Sequence, residues 1–185
     1  MKRADRYARL KSAIVALLAV FLATGSAADA QLSWGQHIFL MKNLRPGLKT
    51  VGMLAGSLSK SDRDAVQRAA VGQGVHIVFG LPSKPSEIAS VYRTMIQQHQ
   101  VQMMWIPASE DQIILQAGFD FLRENTAIDR VGLCVPSAGL VTAGALCAFE
   151  KSGDKITVHV NKKIAQIIGA SVPTAQDQSV AYVVN

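Results

Sequence analysis

Two hydrophobic periodicities take turns along the chain. Residues 49–56 (KTVGMLAG), 75–81 (VHIVFGL), 101–107 (VQMMWIP) and 130–136 (RVGLCVP) are short runs, apolar at most positions and bounded by Gly or Pro. Runs of this length predict strands buried on both faces. Between them, apolar residues recur three and four apart. Residues 61–74 read as a helix capped by Ser61, with Asp64 completing an S-x-x-D signal and glycines at the end. Residues 84–100 read as a helix with Pro85 in the first turn and a stripe of Ile88, Val91, Tyr92, Met95 and Ile96. In residues 109–125, Ser109 caps, Gln112 reaches back, and Ile113, Ile114, Ala117, Phe121 and Leu122 face inward. A short apolar helix at 37–44 precedes the first strand. Buried strands alternating with amphipathic helices predict an α/β domain, a doubly wound parallel sheet of Rossmann-like or flavodoxin-like type.

The pattern changes after residue 142. Residues 143–150 and 155–160 read as strands separated by the turn cluster Lys151-Ser152-Gly153-Asp154, which predicts a hairpin return. Residues 161–170 read as a short helix capped by Asn161, with Ile164, Ile167 and Ile168 on one face and Pro173 beyond it. Residues 174–185 read as a weakly ordered C-terminal tail.

Composition alters the picture at the start of the chain. Lys2, Arg3, Arg6, Arg9 and Lys11 precede an uncharged apolar run at 13–24, and Ala28-Asp29-Ala30 fits an A-x-A cleavage pattern. That run is shorter than the roughly 20 residues a bilayer span needs, so residues 1–30 read as a secretory signal peptide cleaved near Ala30. Residues 31–173 then form the single α/β lobe, and the expected location is the periplasm. Residues 1–30 also hold five of the 19 Lys and Arg and two of the 13 Asp and Glu, so half of the +6 net charge belongs to them. The remaining charges are interspersed, without a basic stripe carrying aromatics, which argues against nucleic-acid binding. Cys134 and Cys147 lie in apolar runs, where buried thiols and a disulfide are both compatible with export.

Candidate chemistry concentrates where parallel sheets bind ligands, in the loops at the carboxyl ends of the strands. The polar residues there give the candidate ligand-binding set Ser57, Ser59, Ser83, Ser109, Glu110, Asp111 and Ser137. Helix N-termini in the same loops suit a carboxylate. Each of these residues also serves as a cap or turn former, and for Ser109 capping is a sufficient explanation. Trp105, inside an apolar strand, reads as core packing. No G-x-S-x-G elbow, phosphate loop or G-x-G-x-x-G follows a strand, and the four histidines lack metal-ligand spacing. The expectation is a protein that is not an enzyme, with no cofactor and no metal.

Four segments carry a family resemblance: NLRPGLKTVGMLAG, MMWIPASEDQI, VPSAGLVTAGAL and the terminal ITVHVNKKIAQIIGASVP. In this order, over residues 40–173, they resemble the second lobe of ABC-transporter substrate-binding proteins of the type I periplasmic-binding-protein fold, the branch linked to aromatic amino acid uptake. The last two segments are the specific ones. The family's acidic residue after the serine is replaced here, since Ser137 is followed by Ala138 and Gly139. The family's long helix before the terminal unit gives way to EKSGD. The resemblance implies an exported solute-binding domain taking an amino acid or small carboxylate for ABC-type uptake or sensing, with an ABC permease or membrane sensor as partner. The alternative is a periplasmic interaction or regulatory module that uses the lobe surface for homodimerisation or partner binding, without transport.

Overall fold

In a computed structural model, which describes residues 31–107, 111–173 and 179–185, a seven-stranded sheet runs through the lobe in the order β2-β1-β3-β4-β5-β6-β7. The strands are β1 (Thr50–Leu54), β2 (His76–Gly80), β3 (Met103–Trp105), β4 (Gly132–Val135), β5 (Cys147–Ser152), β6 (Lys155–Val160) and β7 (Val180–Val184). Neighbours are parallel except β5 and β6, which form the expected hairpin, with Ser152 opposite Lys155. The helices are α1 (Trp34–Leu44), α2 (Lys60–Val71), α3 (Ile88–Gln97, after a 3-10 turn Pro85–Glu87), α4 (Gln112–Ala117), α5 (Phe119–Ile128), α6 (Ala138–Thr142) and α7 (Lys162–Ile168). The doubly wound α/β architecture expected from the periodicity is therefore present. The signal-peptide assignment, residues 1–30, lies outside the described residues.

Alternate positions of each strand feed two cores. On one face Val51, Met53, Ile77, Met103, Trp105, Cys134, Cys147, Phe149 and Val158 pack under α1, α2 and α7. On the other, Leu54, Met104, Ile106, Leu133, Val135 and Ala148 pack under α3–α6. Burial on both sides explains why these strands read as continuous apolar runs. Trp105 is buried as expected, meeting Trp34 edge-on at 5.6 Å and His37 stacked at 5.0 Å. Cys134 and Cys147 are paired positions on adjacent strands, both buried free thiols, and burial beside Cys147 pushes the Cys134 thiol pKa up.

Several local expectations are corrected. The cap of α2 is Ser59 rather than Ser61: its hydroxyl accepts from Asp62 N at 3.0 Å and donates to Asp62 Oδ2 at 2.6 Å. The two S-x-x-D signals overlap, and Val66 and Ala70, one turn apart, face the core. The helix expected at 109–125 is two helices, with Asp111 as the N-cap of α4 and a break at Gly118. A side chain at Gly118 would begin 2.5 Å from Ile88 Cδ1, so the break lets α3 pack closely. Ala117 and Ile167, expected inside, are exposed. The strand expected from residue 143 begins at Cys147, because residues 143–146 form the turn out of α6, with Gly144 at positive φ. Asn161 caps α7 as expected, and Gly169 ends it in the left-handed conformation. Within the expected tail, Val180–Val184 adds an edge strand to the sheet, because β6 offers it an open ladder.

Candidate functional site

The chain runs from β1 to β2 at one side of the sheet and then crosses to β3 on the other side of β1. The order thus reverses between β1 and β3, which is where open α/β sheets form a ligand crevice. Around this point the loops after β2, β1, β3 and β4 lie side by side at the carboxyl edge.

Asp111 spans the switch point. Its Oδ1 accepts from Ile114 N at 3.1 Å, capping α4, and its Oδ2 accepts from Gly56 N in the loop after β1. A Cβ at Gly56 would lie 3.1 Å from Asp111 Oδ1 and 3.4 Å from Ile113 Cδ1, so backbone and carboxylate are in close contact. Ser57 is exposed on the same loop, and Ser59 is held by Asp62. Asp111, Ser57 and Ser59 therefore belong to the loops that meet at the switch point. Ser109 and Glu110 belong to the same connection but lie outside the described residues.

The other candidates sit apart. Ser83 donates through both its N–H and its hydroxyl to Glu87 Oε2, at 2.9 and 3.0 Å. These bonds and the nearby Lys84 ammonium hold the Glu87 carboxyl below its ordinary pKa. Ser137 precedes α6 without a side-chain capping bond. Beside it, Ala138 N donates to Glu150 Oε1 at 3.3 Å, and His159 Nε2 lies 3.1 Å from Glu150 Oε2. This Glu150–His159 pair was missed in the sequence. Its signal was the hairpin: the short turn at Gly153-Asp154 sets Ala148 opposite His159 and places Glu150 one pleat further on the same face. Gly56 was also missed, because its contribution is a backbone N–H that no residue type announces.

Among the described residues, no group of three His, Cys, Asp or Glu side chains could hold a metal ion, and no helix is long and apolar enough to cross a membrane. What these loops carry is hydrogen-bonding groups: the Gly56 backbone N–H on the Asp111 carboxylate, the Ser59 hydroxyl on Asp62 and the exposed Ser57.

No family model and no curated protein matches the chain. Several solved structures are similar, and two illustrate the likeness. One is the ABC domain in complex with L-Trp from Streptococcus pneumonia, with 20% identity and a TM-score of 0.65, over 82% of this chain and 60% of that one. The other is CD0873 from Clostridium difficile, a substrate binding protein with adhesive properties in its ligand-free, open form. It shows 16% identity and a TM-score of 0.66, over 83% of this chain and 60% of that one. The chain thus spans about 60% of the length of the solved chains it resembles. At this identity the likeness speaks for the fold: the sheet and its flanking helices match a single lobe of a substrate-binding protein.

Proposed function

We propose that this chain is an exported solute-binding lobe that takes a small solute bearing a carboxylate, such as an amino acid, at the switch point between β1 and β3. The observation that carries this reading is the pairing of Gly56 N with Asp111 across that point. A donor already satisfied by a carboxylate is suited to receive one from a ligand, and Asp111 is then free to accept from a ligand amino group. Ser57 and Ser59 supply hydroxyls on one side, and Ser109 and Glu110 belong to the connection on the other. Ser137 stands further along the same edge and Ser83 at its far end. The L-Trp bound by one of the structurally similar proteins supports an amino acid as the first class to test.

In this reading residues 1–30 direct export to the periplasm, the lobe does no catalysis, and an ABC permease or a membrane sensor receives the loaded protein. Thermal unfolding with aromatic amino acids, other amino acids and small carboxylates tests it. A ligand at about 100 times its dissociation constant stabilises the folded state by about 2.7 kcal/mol, a readily measured rise in midpoint. If no compound raises the midpoint at saturating excess, solute binding by this lobe is wrong.

A second reading, an interaction module without transport, rests on apolar side chains left exposed beside the β7 edge. Phe39 is 55% exposed and Val184 47%.

A further inference from the structure

The backbone of β7 is half used. Ile156 N donates to Ser179 O at 2.8 Å, Asn185 N to Val160 O at 2.9 Å, and Lys162 N to Asn185 O at 2.9 Å. Bonding residues alternate along a strand paired on one side. Residues 179, 181, 183 and 185 therefore face β6, while Val180, Tyr182 and Val184 turn their N–H and C=O groups outward. Among the described residues no strand pairs with that outer side, since β7 ends the sheet.

We propose that β7 pairs with β7 of a second copy of this chain, antiparallel, about a two-fold axis at Tyr182. The outward residues are symmetric about Tyr182. Centred there, Tyr182 meets Tyr182 of the second copy, and Val180 meets Val184 in both directions. Every outward N–H and C=O of both strands then finds a partner. A centre at any other residue leaves some of these groups unmatched.

Two further observations select a second copy as the occupant. The strand reads Val-Ala-Tyr-Val-Val, with no charge, proline or glycine, so it lacks the usual devices that block edge pairing. With no charge to match, its best complement is an equally uncharged strand of the same length. Val180 and Tyr182 also pack on the α1 side of the sheet, where a groove of about 510 Å³ runs between them and Phe39, Asn43 and Pro46. A two-fold axis normal to the sheet keeps this side common to both copies. The two grooves then adjoin across the axis, and the exposed Phe39 and Val184 side chains approach the shared seam. The interface is isologous and closes at two copies. It lies on the sheet's lateral edge and leaves the crevice between β1 and β3 free, so it stands whether or not a solute binds there.

Sedimentation velocity of the purified full chain, from low micromolar to several hundred micromolar, tests the proposal. The expected result is reversible dimerisation. Val184→Lys places a charge at the seam and should weaken association at least about tenfold. Tyr182→Pro removes an outward N–H while sparing the bonds to β6, and should weaken it similarly. Ala181→Cys combined with Val183→Cys puts thiols at directly opposed, non-hydrogen-bonded positions, and mild oxidation should give a disulfide-linked dimer. If a charged or proline variant fails to fold by circular dichroism, the cysteine pair decides the matter. A protein that stays monomeric throughout the range overturns the proposal. So does a dimer that these changes leave intact and the cysteine pair fails to trap.

Discussion

The two ends of the sheet are built differently. At the amino end, side chains stitch distant loops together. Arg45 Nη1 donates to Gln102 O at 2.6 Å and Arg130 O at 3.1 Å, and Gln102 Oε1 accepts from Lys49 N at 2.6 Å and Thr50 N at 3.2 Å. Lys42 Nζ donates to Gln73 O at 2.6 Å, and Gln73 Nε2 to Gly35 O at 2.7 Å. At the carboxyl end the serines make local bonds, Ser59 with Asp62 and Ser83 with Glu87. The bond from Gly56 to Asp111, 55 residues apart, crosses the switch point. Thus the amino end commits its polar groups to holding distant loops, whereas the carboxyl end mostly pairs its serines within their own loops. On the proposed function, this division sets most of the loop-holding bonds apart from the solute site, with the Gly56–Asp111 bond serving both.

The sharpest way to break the contrast is to remove the bond that crosses the switch point at the carboxyl end. Asp111→Ala loses both the α4 cap and the acceptor for Gly56 N, and should cost about 2 kcal/mol in urea unfolding. If the loss is negligible, the crevice is not held by this carboxylate. Next, Arg45→Ala at the amino end leaves two carbonyls without their donor and should cost about 1–2 kcal/mol while leaving ligand affinity unchanged. A loss of affinity equal to that of a carboxyl-end variant would dissolve the division between the ends.

A smaller, pH-dependent effect belongs to His37. Burial against Trp105 and Phe149 lowers its pKa, opposed by the bond from Nδ1 to Ser33 O. The unfolded chain therefore takes up a proton before the folded one as pH falls below about 6.5. The His37 contribution is complete above that pH and is lost through the window between the unfolded and folded pKa values. Melting profiles of wild type and His37→Gln across this range should converge in slope above it and diverge below. The smallest stability effects are expected for Ser57→Ala and Ser137→Ala, within about 0.5 kcal/mol. If the crevice binds solute, Ser57→Ala should still weaken the ligand-induced rise in midpoint, and Ser137→Ala should do so less.

Much of the fold was legible because burial on both faces leaves a direct imprint. The runs around Val51, Ile77, Met104 and Leu133 could not be surface strands, and the Gly153-Asp154 turn announced the β5–β6 hairpin. Helix starts were less legible. Ser59 and Ser61 both offer S-x-x-D, and the helix register against the core chose between them. For α4, a carboxylate at Asp111 that also reaches Gly56 outweighed the Ser109 signal. The candidate site was only partly legible. Ser57, Ser59 and Asp111 fall in the loops at the switch point, while Ser83 is bonded to Glu87 and Ser137 lies further along the edge. Gly56 and the Glu150–His159 pair depend on contacts between segments far apart in the chain or fixed by strand register.

The sequence by itself determined the α/β class, the alternation of elements and the carboxyl-end loops, because periodicity and capping are local properties of a chain. Only the tertiary structure decided that the order reverses between β1 and β3, that Asp111 closes that point, and that Val180–Val184 becomes an edge strand. Those features arise from which strands become neighbours, and an uncharged stretch such as Val-Ala-Tyr-Val-Val acquires its meaning when a ladder is open beside it.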